Sequence, residues 1–240
     1  APRRKGGQKM NIVMPYYENP DMLRRHVQNW RKLKPAARII LVDDGSPCNP
    51  AEAVLRGPGT DELDVRLFRI DVDIPWNQPG ARNLGMMQVQ GWTLLTDMDR
   101  MIEPTEWRYL LQQHLKATEF YAMRDQTTGH GDAGTHPGTF VILPELYWAA
   151  GGFNEDFAGH YGYDDIAFRK GARRMARERL LPIWITCYSS RDVPDAKTHR
   201  YGRHDDPCAS RNVPALMDLV EHPRQAEKPL RFPWHEVKLR

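Results

Sequence analysis

At 240 residues, with 40% hydrophobic and 27% charged side chains, the chain is long enough for one sizeable core and short for two full domains. Its longest apolar runs, such as Ile39-Ile40-Leu41-Val42, exclude a transmembrane helix, and the basic start Ala1-Pro2-Arg3-Arg4-Lys5 lacks the apolar stretch of a secretory signal. Net charge is +3 but uneven, with 16 Lys and Arg against 9 Asp and Glu from Arg169 onward, a basic third suited to phosphate, nucleic acid or a solvated helix face.

Three scattered cysteines (Cys48, Cys187, Cys208) without CxxC spacing suggest neither a disulfide framework nor a zinc site, so a cytoplasmic protein is expected. In chain order, residues 10–17 begin as a buried strand, Met10-Asn11-Ile12-Val13-Met14, stopped by Pro15. Pro20-Asp21 opens a helix with Leu23, Val27 and Trp30 at helical spacing, ended by Pro35. Arg38 to Val42 reads as a second buried strand running into the turn Asp43-Asp44-Gly45-Ser46-Pro47. A third strand lies around Val65–Ile70, a helix at Pro79–Val89, a fourth strand at Trp92–Thr96, and a helix from Pro104 carrying Trp107, Leu110, Leu111 and Leu115. Residues 124–138, rich in Gly, Thr, Asp and His, read as a mobile loop. Thr139–Leu143 predicts a strand, Pro144–Ala150 a short helix, and Asp164–Arg179 a helix with acids at its start and arginines at its end, matching the helix dipole.

This alternation predicts an α/β fold with a mostly parallel sheet flanked by helices. Ligands in such sheets sit beyond the carboxyl ends of the strands. Tyr16-Tyr17-Glu18, Asp43-Asp44 and Asp97-Met98-Asp99 each follow such an end, so three polar clusters converge on one crevice. Asp97 and Asp99, two apart in extended chain, point to the same side and offer hard oxygen ligands for Mg²⁺ or Mn²⁺.

Four segments appear in an order that resembles family 2 glycosyltransferases and their GT-A relatives: Val13-Met14-Pro15-Tyr16-Tyr17-Glu18-Asn19, Leu41-Val42-Asp43-Asp44-Gly45-Ser46, Gly80-Ala81-Arg82-Asn83-Leu84-Gly85 and Asp97-Met98-Asp99. Gly151-Gly152-Phe153-Asn154-Glu155, followed by Gly162-Tyr163-Asp164-Asp165, resembles the acceptor side of galactosyltransferase-type members. The resemblance implies a single GT-A (Rossmann-like) domain over 10–205, with a nucleotide-sugar half (10–123) and an acceptor half (124–205), between a basic tail (1–9) and a C-terminal extension (206–240). It implies a metal-dependent hexosyltransferase-type enzyme using a nucleotide-sugar donor, a UDP-sugar by family habit. Pro15, Tyr16 and Glu18 would then line the base and ribose pocket, with Asp43 and Asp44 contacting the base. Trp76, Gly80, Arg82, Asn83 and Met98 would lie at the donor, Asp97 would face the ribose or the metal, and Asp99 would ligate the metal. His199, with His204 in reserve, would complete the metal shell, and Arg200 and Arg203 would hold the diphosphate. Tyr161 and Tyr163 would face the acceptor, and Asp165 or Asp164 would be the base of an inverting transfer. The chain departs from the family pattern at Ala167, which stands where a later acid is usual.

Other readings remain open at this level. The acceptor is expected to be a glycan or small molecule, while the basic C-terminal third allows a hydroxylated base of DNA, flipped out of its stack. A nucleotidyltransferase would share the sheet and paired acids, but would carry a Gly-rich basic loop after the first strand, where Pro15-Tyr16-Tyr17-Glu18 stands. A non-catalytic sugar-nucleotide binder follows if Asp164 and Asp165 only cap their helix.

Overall fold

Apolar residues on both faces of the first two strands decide the layering. The computed structural model describes residues 10–127, 131–198, 212–221 and 230–239. In β1 (Asn11–Tyr16) and β2 (Arg38–Asp43), Ile12, Met14, Tyr16, Ile39 and Leu41 turn to one core cluster. There they meet Met22, Leu23, Val27 and Trp30 of α1 (Pro20–Trp30). Val13, Ile40 and Val42 turn to the opposite cluster, against Ala81 and Leu84 of α3 (Gln78–Met87). Both faces of these strands are thus covered, as a parallel sheet requires. Each fully buried aliphatic contributes roughly 1.5–3 kcal/mol relative to exposure. Close packing sets one sequence requirement: a Cβ at Gly85 would sit 2.4 Å from Val13 Cγ1, so α3 approaches β1 only through a glycine.

Among the described residues, ten strands form one sheet. The remaining strands are β3 (Asp64–Ile70), β4 (Thr93–Leu95), β5 (Arg100–Ile102), β6 (Glu119–Thr127), β7 (Gly131–Gly134), β8 (Phe140–Ile142), β9 (Arg177–Cys187) and β10 (Trp234–Val237). Their order is β10-β3-β2-β1-β4-β8-β6-β9-β5, with β7 on β6. β3-β2-β1-β4 is parallel throughout, and so is the β6–β9 pair, whereas β10, β8, β7 and β5 join antiparallel. The other helices are α2 (Ala51–Leu55), α4 (Pro104–Leu110), α5 (Pro144–Ala149), α6 (Asp164–Met175) and α7 (Asn212–Glu221). None in the described residues is long and apolar enough to cross a membrane.

Four expectations need correction. α4 ends at Leu110, so Leu111 and Leu115 fall outside it. The stretch 124–138 is not simply a loop: β6 runs through Thr127 and β7 turns back along it. The helix expected to reach Arg179 ends at Met175, because Ala176 is extended (φ −152°, ψ 160°) and Arg177 opens β9 beside β6. The first helix stops at Trp30, well before Pro35. Within the extension 206–240, α7 packs on α6, and β10 closes the sheet edge against β3.

α1 has no side-chain cap of its own. Asp195 supplies one from far downstream, accepting from the backbone amides of Asp21 (2.6 Å) and Met22 (2.9 Å). A carboxylate there satisfies two of the orphan amides and complements the dipole. It also ties the segment after β9 to the rim of the site.

Candidate active site

A cleft of about 830 Å³ opens beyond the carboxyl ends of β1, β2 and β4 and is closed on its far side by the start of α6. The end of the cleft nearest β2 is built by sharp turns. Gly45 follows β2 with φ +75°, and a Cβ there would lie 2.4 Å from the carbonyl oxygen of Val72, so the turn that presents Asp44 admits only glycine. Asp44 is buried and accepts from the Asn77 side-chain amide at 3.1 Å. Burial pushes its carboxyl up to about 8, with the Asn77 amide opposing. Pro15, Tyr16 and Trp76 line the same end. The Trp76 ring lies 4.5 Å from that of Tyr161, and the Gly159 amide donates to Pro75 O at 2.7 Å, joining the loop before α3 to the segment before α6.

The floor is a chain of charges. Arg82, 1% exposed, donates from Nη1 to Asp164 at 2.9 Å and from Nη2 to Asp97, and its guanidinium lies over the Phe153 ring. Burial would raise the Asp97 carboxyl, but the Arg82 guanidinium, together with His136 and Arg100, holds Asp97 below the ordinary carboxylate range. Burial is also the largest influence on Asp164 and raises it, against the pull of Arg82. Asp165 differs from its neighbour. It lines the cleft half-buried, and its carboxylate accepts from its own chain at the Ile166 amide, 2.7 Å away. Tyr163, in the left-handed region at φ +72°, starts α6 and turns this pair so that Asp164 faces inward to Arg82 while Asp165 faces the cleft.

Asp99 pairs with Arg100 and lies 3.6 Å from Lys197 Nζ, while Arg100 Nε reaches Asp125 at 3.3 Å. The loop Asp97–Asp99 is held from beneath by α1, where buried His26 Nε2 meets Met98 O at 2.7 Å and Asn29 donates to Ile102 O at 2.9 Å. Asp97 and Asp99 both border the cleft, their side chains 14% and 12% exposed. Two hard carboxylates suit a Mg²⁺ or Mn²⁺ ion, which is commonly held by one or two carboxylates together with substrate phosphates. Among the described residues no third His, Cys, Asp or Glu joins them as a cluster.

The structure brings together on the cleft wall Pro15, Tyr16, Asp44, Trp76, Arg82, Asp97, Met98, Asp99, Tyr161, Tyr163, Asp164 and Asp165. It gives other candidates supporting contacts instead. Glu18 accepts from the backbone amides of Cys48 and Asn49 and from the Asn49 side chain, pinning the loop after β2. Asp43 accepts from the amides of Ser46 (2.9 Å) and Ala51 (2.8 Å). Gly80 is pressed against Phe232, and Asn83 is a buried hub bonded to Tyr147, Phe153 and Glu155. His199, Arg200, Arg203 and His204 lie outside the described residues. Sequence reasoning passed over Lys197, Arg100 and His136. Lys197 stands beside the segment read as metal-binding, Arg100 directly follows Asp99, and His136 was absorbed into the supposed loop.

The family model described as "Glycosyl transferase family 2" matches residues 11–180. An undecaprenyl-phosphate 4-deoxy-4-formamido-L-arabinose transferase from Salmonella choleraesuis (strain SC-B67) is 29% identical over 103 residues, 41% of this chain and 31% of that protein. The chain therefore spans about a third of the length of that relative. Among solved structures, residues 1–349 of S. aureus TarS in complex with UDP-GlcNAc superpose with a TM-score of 0.60 at 13% identity, covering 80% of this chain and 62% of that one. The mannosyltransferase PcManGT from Pyrobaculum calidifontis, in complex with GDP-Man and Mn²⁺, gives a TM-score of 0.60 at 15% identity, covering 90% and 70%. At such identities the structures establish a shared GT-A fold.

Proposed function

The chain belongs to glycosyl transferase family 2, and from that premise we propose that it transfers a sugar from a nucleoside diphosphate sugar to an acceptor hydroxyl with inversion. One observation carries the reading: Asp44, Arg82, the Asp97–Asp99 pair and Asp165, widely separated in sequence, line a single cleft at the carboxyl ends of the parallel strands. Asp44 and Trp76, together with Pro15 and Tyr16, take the base and ribose, with a UDP-sugar as donor. The solved structures similar to this chain bind UDP-GlcNAc and GDP-Man, which supports a nucleotide-sugar donor and leaves both bases for the test.

The diphosphate lies at Asp97 and Asp99, where a bound Mg²⁺ or Mn²⁺ supplies charge neutralisation for the departing nucleoside diphosphate. Lys197 adds positive charge beside Asp99, and Arg200 and Arg203, which lie outside the described residues, are the further cations assigned to the diphosphate. Arg82 holds Asp97 in place and keeps Asp164 turned inward. Asp165, free of any such ion pair in the described residues, accepts the proton of the attacking acceptor hydroxyl as the new bond forms. Tyr161 and Tyr163 offer aromatic faces to an acceptor sugar ring, which favours a glycan or small glycoside.

Calorimetric titration of UDP and of GDP, with and without Mn²⁺, on wild type and Asp99→Ala tests the donor site. Metal-dependent binding of one nucleotide, lost in Asp99→Ala, is expected. Binding of neither nucleotide, or binding indifferent to both metal and substitution, overturns the proposal.

A further inference from the structure

We propose that His136 is a sugar-contacting residue, sharing one hydroxyl of the transferred sugar with Asp97. The inference rests on the donor reading above. His136, Pro137, Gly138 and Thr139 form a tight turn before β8, closed by the Thr139 amide on His136 O at 3.3 Å, with proline in the second position, where its fixed φ suits a turn. Gly138 presses the turn onto the charged floor: a Cβ there would lie 2.7 Å from Arg82 Nη2 and 3.0 Å from His136 Cε1. The imidazole is therefore held by packing rather than left to swing.

Its two nitrogens are unequal. Nδ1 lies 3.2 Å from Thr139 Oγ1, which is itself 3.4 Å from Thr96 Oγ1 in the buried layer below. The Asp97 carboxylate facing Nε2 favours the tautomer that carries its proton there, in which Nδ1 accepts from the Thr139 hydroxyl. Nε2 is 3.6 Å from Asp97 Oδ2, too far for a good direct hydrogen bond. A hydroxyl placed against both atoms accepts from Nε2–H and donates to the carboxylate, satisfying both. The side chain is 18% exposed and borders the cleft, so a ligand reaches it.

Position identifies the ligand group. The ring lies within electrostatic reach of Asp97, Asp99 and Asp165, and of Arg100. With the diphosphate at Asp99 and the attacking hydroxyl at Asp165, the group that spans the interval between them is the sugar in transit. Neither the base nor the acceptor's remote parts occupy that interval.

The test separates sugar from nucleotide. Wild type, His136→Ala and His136→Gln are titrated with UDP, GDP, UDP-glucose, UDP-galactose, UDP-GlcNAc and GDP-mannose in Mn²⁺, with thermal melts to verify folding. For the sugar nucleotide that binds wild type best, His136→Ala is expected to lose about tenfold in affinity. Affinity for the matching free nucleotide should stay within about twofold, and His136→Gln, whose amide can donate, should recover part of the loss. A His136→Ala variant that binds sugar nucleotide as wild type does, or loses free nucleotide to the same degree, overturns this inference alone. A wild type that binds no nucleotide of the panel overturns the donor reading and this inference together.

Discussion

Replacing Arg82 by Met removes the cation that bridges buried Asp164 and the largely buried Asp97 at the edge of the cleft. The guanidinium is 1% exposed and bonds Asp97 through one nitrogen and Asp164, itself 3% exposed, through another. Breaking a buried pair by deleting one partner costs about 3–5 kcal/mol, because the remaining charge has neither water nor a counter-ion. For a chain of this size each kcal/mol moves the melting midpoint by about 2–4 °C, so a fall of roughly 6–20 °C is expected. The loss should also depend on pH. Without Arg82, burial raises the Asp164 carboxyl further above its unfolded value. The folded variant then holds a proton that the unfolded chain releases, and its stability falls as pH rises. Urea denaturation at pH 6 and pH 8 should therefore show a wider gap between wild type and Arg82→Met at the higher pH. Adding Asp164→Asn to Arg82→Met should recover part of the loss, since one stranded charge is gone. A single variant that loses under about 1 kcal/mol, or a double variant whose losses simply add, would refute the buried-pair reasoning.

Two further outcomes separate the roles of neighbouring groups. Asp165→Asn should lower transfer about 10²–10⁴-fold, measured by nucleotide release, while stability stays within about 0.5 kcal/mol. Asp164→Asn should instead destabilise the fold through Arg82, and an Asp165→Asn enzyme retaining more than a tenth of the rate removes Asp165 from the mechanism. Asp44, raised by burial to about 8, keeps a proton in the folded chain that the unfolded chain loses near its ordinary value of 3.8. Its contribution therefore lowers stability as pH rises between those two values, by at most about 1.4 kcal/mol per pH unit. Asp44→Asn should flatten that slope in urea midpoints at pH 5, 6.5 and 8, and an unchanged slope would show that Asp44 is not the group responsible.

Local rules made much of this protein legible. β1, β2, α1 and α3 follow from short-range apolar periodicity, and strand ends followed by acids put Asp44, Asp97 and Asp99 at one crevice, because parallel strands share a carboxyl edge. β9 also had a local signal, with Leu181, Ile183, Ile185 and Cys187 buried at every second position. The arginines of 173–179 extended the helical pattern over its start and obscured it. β7 and β10 are short, and polar residues interrupt their pattern, so pairing with β6 and β3 defines them more than composition does.

What only the tertiary structure decided is how the members of each pair of acids are partnered around the cleft. Asp43 and Asp44 are adjacent, as are Asp164 and Asp165, and no sequence pattern distinguishes their surroundings. The fold spends Asp43 on the amides of Ser46 and Ala51, away from the cleft, and ties Asp164, although it borders the cleft, to Arg82, so that Asp44 and Asp165 are the cleft-lining members not held by a guanidinium. His136 belongs to the same class, since Thr139 is near in sequence but Asp97 meets it only across the sheet. Strand ends and residue types are written locally. The assignment of a buried carboxylate to a structural or a ligand-facing role depends on which distant cation or amide the folded chain delivers to it, because burial without such a partner costs several kcal/mol.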